Sequence, residues 1–454
     1  MLIYSISNQS ELSSIPEWVE WIELRIDLSP GLTASLQDLT AYRVIITDRW
    51  FKEGGKSRRS ITEKIEFYQT MLNFSNLYFD LEIELLNNDV NIDFNWERLI
   101  LSYHNFESLV VADIHTKLLQ ALKLKPYMTK IAQHCDTLRE VNELYQLIRN
   151  FEQKILWLIM GDYGKLQRLL FSYLESQGTF VSAPGAETVS GQLNLKSVAK
   201  YPHFFSSKPY KWGGIIGGEQ VYDSLGLEFY NNYFRDNKLE ACYLPVSLKE
   251  SDLEDFFDLI RSSPKLSRYC YGFSLTMPFK KSIPKLFNYS KIANLLIYDG
   301  QVHFYNTDKD AFIKIRKKLD GLPIKTVLVY GSGSMAQLAL DIFADYHVFL
   351  TGRNKTKVLK LASQRKNIEI IDQLSPEIYI DLLINTSPIG MKGESFSQKT
   401  GIRKFKYVID LPYSQEDIPL QKEVQKGRYF SGREFWLNQS ERQLQEFKER
   451  IEND

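Results

Sequence analysis

The chain has 454 residues, with 56 Lys plus Arg against 56 Asp plus Glu, so no net charge draws it to nucleic acid or an anionic membrane. A hydrophobic share of 44% and a charged share of 25% are those of an ordinary soluble globular protein, and the length suffices for two or three domains. Cys135, Cys242 and Cys270 are too few and too scattered for a disulfide framework or a zinc site, and they fit a reducing compartment. The opening MLIYSISNQSELSS lacks the basic region and long apolar run of a signal peptide, and no apolar run could span a bilayer. The expectation is a cytoplasmic protein that works on small molecules without a metal, as a monomer or a homodimer.

In chain order, short apolar runs recur over the first 200 residues: LIYSIS (2–7), WIELRID (21–27), YRVIITDR (42–49), LYFDLEIEL (77–85), RLILSYHNF (98–106), YMTKIA (127–132), KILWLIMGD (154–162) and GTFVSAPG (178–185). Helical patterns such as REVNELYQLIRNFE lie between several of them. Strands alternating with helices imply a parallel sheet, and eight such runs predict an α/β (β/α)₈ barrel. Residues 199–212 read as a linker. The pattern restarts with GGIIGG (213–218), and a third unit opens near 324 with strand, glycine turn, helix and second strand.

In such a barrel the active site lies at the C-terminal ends of the strands. The polar residues there are Glu23, Arg25, Asp27, Arg49, His104, Lys130 and Arg168. Lysine is rarely buried, so Lys130 on an apolar strand needs a reason. Its stem could pack on the barrel while the amine reaches water. Alternatively, a desolvated amine near other cations becomes a nucleophile for carbonyls. Histidine moves protons near neutral pH, and arginines suit carboxylates. This chemistry alone suggests a Schiff-base enzyme acting on a keto acid.

The motifs ELRID (23–27), TDR with EGG (47–49, 53–55), SYHNF (102–106), KIA (130–132), MGDYGKLQR (160–168) and SGQL (190–193) resemble the type I 3-dehydroquinate dehydratases, in that family's order over nearly all of residues 1–200. The resemblance implies that Lys130 forms an imine with the substrate ketone, that His104 moves the adjacent proton and that Glu53 orients His104. It also implies that Arg25, Arg49 and Arg168 bind substrate, assisted by Glu23, Gln192 and Thr188. Asn105 stands where the family has aspartate, and Thr188 and Ser190 where it has serine and proline.

In the third unit, VLVYGSGSMAQLAL (327–340) places Gly331, Gly333 and Ala336 in a G-x-G-x-x-A pattern between a strand and a helix, a dinucleotide fingerprint. The next strand ends in TGRNKTK (351–357), with Arg353, Lys355 and Lys357 and no acid, which favours a 2′-phosphate and so NADP. A plain βαβ turn beside a solvated basic loop is the other reading.

FSLTMPFKK (273–281), YNTDKDAF (305–312), INTSPIGM (384–391), DLPY (410–413) and GREFWLNQSERQLQEF (432–447) together resemble shikimate dehydrogenase over most of residues 212–454. The resemblance implies a catalytic pair, Lys280 and Asp308, and substrate contacts at Ser224, Thr276, Asn294, Tyr413 and Gln439. It places Gly331, Gly333, Ser334, Met335, Ala336, Arg353, Asn354, Lys357 and Thr386 on NADP(H). Together the two resemblances imply a barrel at 1–203, a substrate domain at 212–312 completed by 424–454, and a Rossmann domain at 313–423. Gly226, Ser274, Leu295 and Gly352 depart from that family's pattern. The expected activity is bifunctional: dehydration of 3-dehydroquinate, then NADPH-dependent reduction of 3-dehydroshikimate. The alternatives are an active dehydratase with a drifted dehydrogenase, or a sensor that binds without turnover.

Overall fold

The computed structural model describes residues 1–86, 94–186, 191–206, 208–371, 379–413, 419–424 and 428–453. Two compact units divide at 270, Met1–Cys270 and Tyr271–Asp454. The first opens with parallel strands β1 (Leu2–Ile6), β2 (Trp21–Arg25), β3 (Arg43–Thr47), β4 (Leu77–Glu82), β5 (Leu99–Asn105), β6 (Met128–His134), β7 (Ile155–Met160), β8 (Thr179–Ser182) and β9 (Leu193–Asn194). They form one curled sheet in the order β7-β6-β5-β4-β3-β2-β1-β8-β9, the predicted barrel.

Alternate residues of each strand face the interior. Ile3, Trp21, Ile45, Ile100, Met128 and Leu156 make an apolar layer at the N-terminal end. Two residues further along the same strands, Ser5, Glu23, Thr47, Ser102 and Lys130 make a polar layer. The register that pairs Thr47 with Asp80, Glu82 with Ser102 and Ser102 with Lys130 brings polar groups together from four strands, β3 to β6.

The β7 edge facing β8 is satisfied by side chains as well as backbone. Ser176 Oγ accepts from Trp157 N at 3.1 Å, and Gln167 Nε2 donates to Trp157 O at 2.9 Å. Buried backbone groups need such partners, and polar side chains beside the edge provide them.

The helices Ile61–Gln69 and Leu138–Ile148 each begin with a capping box, Ser60 with Glu63 and Thr137 with Glu140. The connections at Gln9–Ser14 and Pro30–Leu39 are 3₁₀ turns instead, since neither is long and periodic enough to sustain an α-helix. The predicted linker is packed: Tyr201, His203 and Phe204 are buried, and His203 Nε2 meets Leu169 O at 2.9 Å. Aromatic burial, which leaves no helical or strand period, anchors that stretch. The unit continues with parallel β10 (Lys211–Gly217) and β11 (Ala241–Ser247), joined through the helix Leu225–Asp236, and with the helix Leu253–Ser262.

The second unit holds an antiparallel set, β12 (Cys270–Leu275), β13 (Leu295–Tyr298) and β14 (Val302–Tyr305). It also holds a six-stranded parallel sheet of β15 (Thr326–Tyr330), β16 (His347–Thr351), β17 (Ile368–Ile370), β18 (Ile380–Asn385), β19 (Phe405–Asp410) and β20 (Arg428–Phe430). Its order, β17-β16-β15-β18-β19-β20, reverses between β15 and β18, the switch point where doubly wound sheets bind dinucleotides. The last helix, Gly432–Glu452, packs on the helix Thr307–Leu319 through Phe435 against Phe312, with ring centroids 4.7 Å apart. Among the described residues no helix is long and apolar enough to cross a membrane.

Candidate active sites

A cavity of about 280 Å³ opens at the C-terminal end of the barrel, lined by Glu23, Arg25, Arg49, Glu53, His104, Phe106, Lys130, Arg168, Phe180 and Gln192 among others. Lys130 projects from mid-β6 into the polar layer and is only 5% exposed. Its Nζ lies 3.4 Å from Glu23 Oε1, 3.3 Å from Asp80 Oδ2 and 4.4 Å from the Phe180 ring centre. An unpaired charge in this layer would cost several kcal/mol, so the acids are what permit the amine.

The predicted setting was different: sequence reasoning surrounded Lys130 with cations, but its nearest charged partners are two carboxylates. Arg49 shares one of them, its Nη2 lying 2.7 Å from the same Asp80 oxygen. Burial pushes the Asp80 carboxyl up, but Arg49 and Lys130 outweigh it and hold the group below the usual carboxylate range. Burial likewise pushes Glu23 up, and Lys130, Arg25 and the Ser5 hydroxyl, which donates at 2.7 Å, bring it below its ordinary value.

His104 Nδ1 lies 2.9 Å from Glu53 Oε2, which also accepts from His104 N at 3.0 Å. Burial first, then the charges of Arg49 and Lys130, push the imidazole well below its ordinary value, so it is neutral at pH 7. With Nδ1–H donated to Glu53, Nε2 presents a lone pair. The turn at 53–55 makes this possible. Gly54 adopts φ 78°, and a Cβ on Gly55 would lie 2.0 Å from Arg49 O, so the chain can fold Glu53 beneath His104 only with glycines there.

Glu53 is pushed up to about 8 by burial, opposed by Arg49 and reinforced by Glu82 and Asp80. A carboxyl raised in the fold stabilises it fully below the unfolded value and loses that contribution as pH rises through about 8. Glu53→Gln cannot ionise. Melting curves between about pH 5 and pH 9 are therefore expected to show E53Q gaining stability relative to the wild type as pH rises. Parallel curves would mean that Glu53 titrates normally.

The arginines divide by partner. Arg25 holds Asp27 through two contacts of 2.9 Å. Arg49 is paired with Asp80, with Glu82 at 3.2 Å and with Ser102 at 2.7 Å. Among the described residues Arg168 meets no acid: its Nη1 donates to Ile159 O at 2.6 Å and Gly164 O at 3.0 Å, and its buried Nε has no partner there. Burial lowers it to about 10. Gln192 is buried in the cavity wall, while Thr188 and Ser190 lie outside the described residues.

In the second unit, Lys280 Nζ lies 2.5 Å from Asp308 Oδ2. Asn294 Nδ2 donates to Thr307 Oγ1 at 3.0 Å and to Gln439 Oε1 at 3.2 Å, while Thr307 N donates to Asn294 Oδ1 at 2.7 Å. The last helix thus reaches β13 and the start of the helix that carries Asp308. The Tyr413 phenol is pushed up by burial and by the charge of Asp308. Thr276 is half-buried just past β12, and Leu295 is fully buried in β13. In the first unit, Ser224 caps the helix Leu225–Asp236, its Oγ accepting from Gly226 N at 3.2 Å.

At the switch point, Gly331 has φ 137°, and a Cβ there would lie 2.1 Å from Thr386 Oγ1, so β15 turns tightly against the end of β18. The Cβ direction of Gly333 meets nothing within 4 Å, which leaves room at the start of the helix Ser334–Ile342. Ser334 and Met335 form its first turn, and Ala336 is buried against the sheet. Arg353 and Lys357 are exposed past β16, and Arg353 acts on the Tyr330 phenol as a nearby charge. Asn354 caps the next helix by accepting from Lys357 N at 3.0 Å. Open space at a helix N-terminus, flanked by cations and no acid, fits a dinucleotide with an added phosphate.

The family model described as Type I 3-dehydroquinase matches residues 6–208, and that described as Shikimate dehydrogenase substrate binding domain matches residues 216–296. A shikimate dehydrogenase (NADP(+)) of Aquifex aeolicus is 30% identical over 237 residues, covering 48% of this chain and 84% of the relative. The chain joins a type I 3-dehydroquinase to a member of the shikimate dehydrogenase family. A 3-dehydroquinate dehydratase of Coxiella burnetii is 28% identical over 217 residues, 46% of this chain and 91% of that protein. Among solved structures, the dehydroquinate dehydratase and shikimate dehydrogenase from S. pombe AroM aligns over 99% of this chain and 98% of its own, at 16% identity and a TM-score of 0.40.

Sequence reasoning missed Asp80, Glu82 and Lys64 in the dehydratase half. Lys64 is fully buried, with Nζ 2.7 Å from Glu82 Oε2. The signal was present in LYFDLEIEL, where acids two residues apart on a strand must share a face. In the dehydrogenase half it missed Thr307, the residue that ties Asn294 to Gln439.

Proposed function

We propose that the barrel dehydrates 3-dehydroquinate to 3-dehydroshikimate through an imine on Lys130, and that residues 212–454 reduce that product to shikimate with NADPH. The observation that carries the first step is the amine of Lys130 set between Glu23 and Asp80. Attack on the ketone requires the amine to stand at a fixed place in the cavity, and the two carboxylates hold the Lys130 nitrogen there. The nitrogen adds to the carbonyl carbon and water leaves, giving the iminium. His104 Nε2 then takes the proton from the adjacent carbon, and the electron pair is held as an enamine. Return of that pair expels the hydroxyl, which leaves as water with the proton from His104. Hydrolysis of the remaining imine frees the lysine.

Arg168, with its unpartnered Nε, is the binding group for the substrate carboxylate. Arg25 and Arg49, already paired, chiefly hold the acids in place and present their remaining N–H groups to ring hydroxyls. Glu23, Gln192 and Thr188 complete the substrate contacts.

For the reduction, Lys280 donates a hydrogen bond to the ketone oxygen and supplies its proton, with Asp308 holding the ammonium in place. NADPH supplies the hydride when bound. The turn Gly331–Gly333, Ser334, Met335, Ala336 and Thr386 would hold its pyrophosphate end, and Arg353, Asn354 and Lys357 its 2′-phosphate side. Asn294, Gln439, Thr276, Tyr413 and Ser224 are the substrate contacts. The working division is a barrel at 1–203, a substrate domain at 212–312 with 424–454, and an NADP domain at 313–423. Cys135, Cys242 and Cys270 are buried and outside any disulfide, which supports a cytoplasmic setting.

The test gives the purified chain 3-dehydroquinate alone, with NADH or with NADPH, and quantifies products by mass spectrometry. The expected result is dehydroshikimate alone without nucleotide and shikimate with NADPH, more slowly with NADH. Gly226 and Leu295 at altered positions motivate a second reading, a drifted dehydrogenase. It predicts that dehydroshikimate accumulates even with NADPH. No product under any condition would sink both.

A further inference from the structure

Arg168 sits on a short helix, Gly164–Leu169, that also faces away from the barrel. On that side the chain beyond the barrel grips it. Tyr163, at the helix start, is buried, and its hydroxyl donates to Asp252, itself buried beside the helix Leu253–Ser262. Lys165 lies over the ring of Tyr222 at 4.7 Å, two residues before Ser224. Lys249 pairs with Asp162 at 2.7 Å, but that pair is exposed and contributes little.

The contact reaches Arg168 through one turn of backbone. Gln167 N donates to Tyr163 O at 3.0 Å, and Arg168 Nη1 donates to Gly164 O at 3.0 Å. Of the two carbonyls that aim the guanidinium, Ile159 O and Gly164 O, the second therefore belongs to the residue directly after Tyr163. Among the described residues no acid competes to orient Arg168, so the placement of these two carbonyls decides where its free Nε points. A buried tyrosine bonded to a carboxylate is a strong local anchor, since removing one partner strands the other away from water.

We propose that Asp252, in the segment belonging to the dehydrogenase match, is a positioning residue for the dehydratase site. It acts through Tyr163 on Arg168. The dehydratase half thereby depends on the module fused to it. The inference rests on the reading of Arg168 as the carboxylate-binding group.

The full chain is made as Arg168→Ala, Tyr163→Phe, Asp252→Ala, Asp252→Asn and the pair Y163F/D252A, and dehydration is followed as kcat and KM. Arg168 binds the carboxylate in ground and transition states alike, so a misplaced Arg168 raises KM and spares kcat. Y163F and D252A are each expected to raise KM by roughly three- to tenfold. The pair is expected to be no worse than the worse single variant, because both break one contact. D252N retains an acceptor and is expected to stay near wild type. Y163F keeps the ring and its packing, and reduction of dehydroshikimate by the same samples reports that the chain is folded. If R168A leaves KM unchanged, the reading of Arg168 fails. If R168A raises KM while Y163F and D252A leave it alone, or their effects multiply, or D252N is as poor as D252A, the positioning role is overturned.

Discussion

Replacing Lys130 with methionine is expected to lower dehydration by at least on the order of 10⁴-fold, the scale seen when a covalent nucleophile is removed. Reduction of dehydroshikimate should continue at the wild-type rate. Methionine fills a similar volume, but it removes a charge that Glu23 and Asp80 both face. Both acids then lose one cation, and Arg49, the nearer partner of Asp80 at 2.7 Å, remains to hold it. The fold should survive, because Arg49 keeps three further partners in the same layer. The decisive measurement is borohydride trapping. Wild type with 3-dehydroquinate should gain mass as the imine is reduced to a stable secondary amine, and K130M should not.

His104→Ala separates the steps further. Loss of the proton-moving group should cost about 10²–10⁴-fold in turnover while leaving the amine able to condense. The trapped adduct should therefore persist in H104A. An adduct in K130M, or none in wild type, would remove the imine from the mechanism.

His104 was legible in the sequence because it stands near the end of its strand. Lys130 was conspicuous for a simpler reason: an amine in the run PYMTKIA has no place in an apolar core without partners. The partners themselves were not legible. Asp80 comes from β4 and Glu23 from β2, and only the order and register of the curled sheet bring them to β6. The same holds for Arg49, whose sequence position suggests a substrate contact but whose guanidinium is taken up by Asp80 and Glu82. Spacing along one strand is readable with a period of two; neighbours across strands are not.

The packed stretch around Tyr201 and Phe204 shows the opposite limit, burial without any period to announce it. The attachment of Tyr163 to Asp252 joins residues 89 apart and leaves no local trace at all.

Lys280→Met or Asp308→Asn is expected to lower reduction of dehydroshikimate by about 10²–10⁴-fold, with dehydration untouched. At 2.5 Å the two side chains act as one unit, so their losses should not add. The double variant K280M/D308N should be no slower than K280M. This separates a catalytic pair from an ordinary ion pair, which would change stability and leave turnover intact. The surroundings favour catalysis: Asp308 is buried at the start of its helix, and Asn294, Thr307 and Gln439 are locked together a few residues away in sequence or across the last helix. Polar networks of this kind hold their members at fixed geometry, which a hydride acceptor requires of the groups that polarise it. With 3-dehydroquinate as the starting substrate, K280M should convert the whole chain into a dehydratase that stops at dehydroshikimate even with NADPH present. If K280M still makes shikimate at the wild-type rate, the proton comes from elsewhere and the pair is structural.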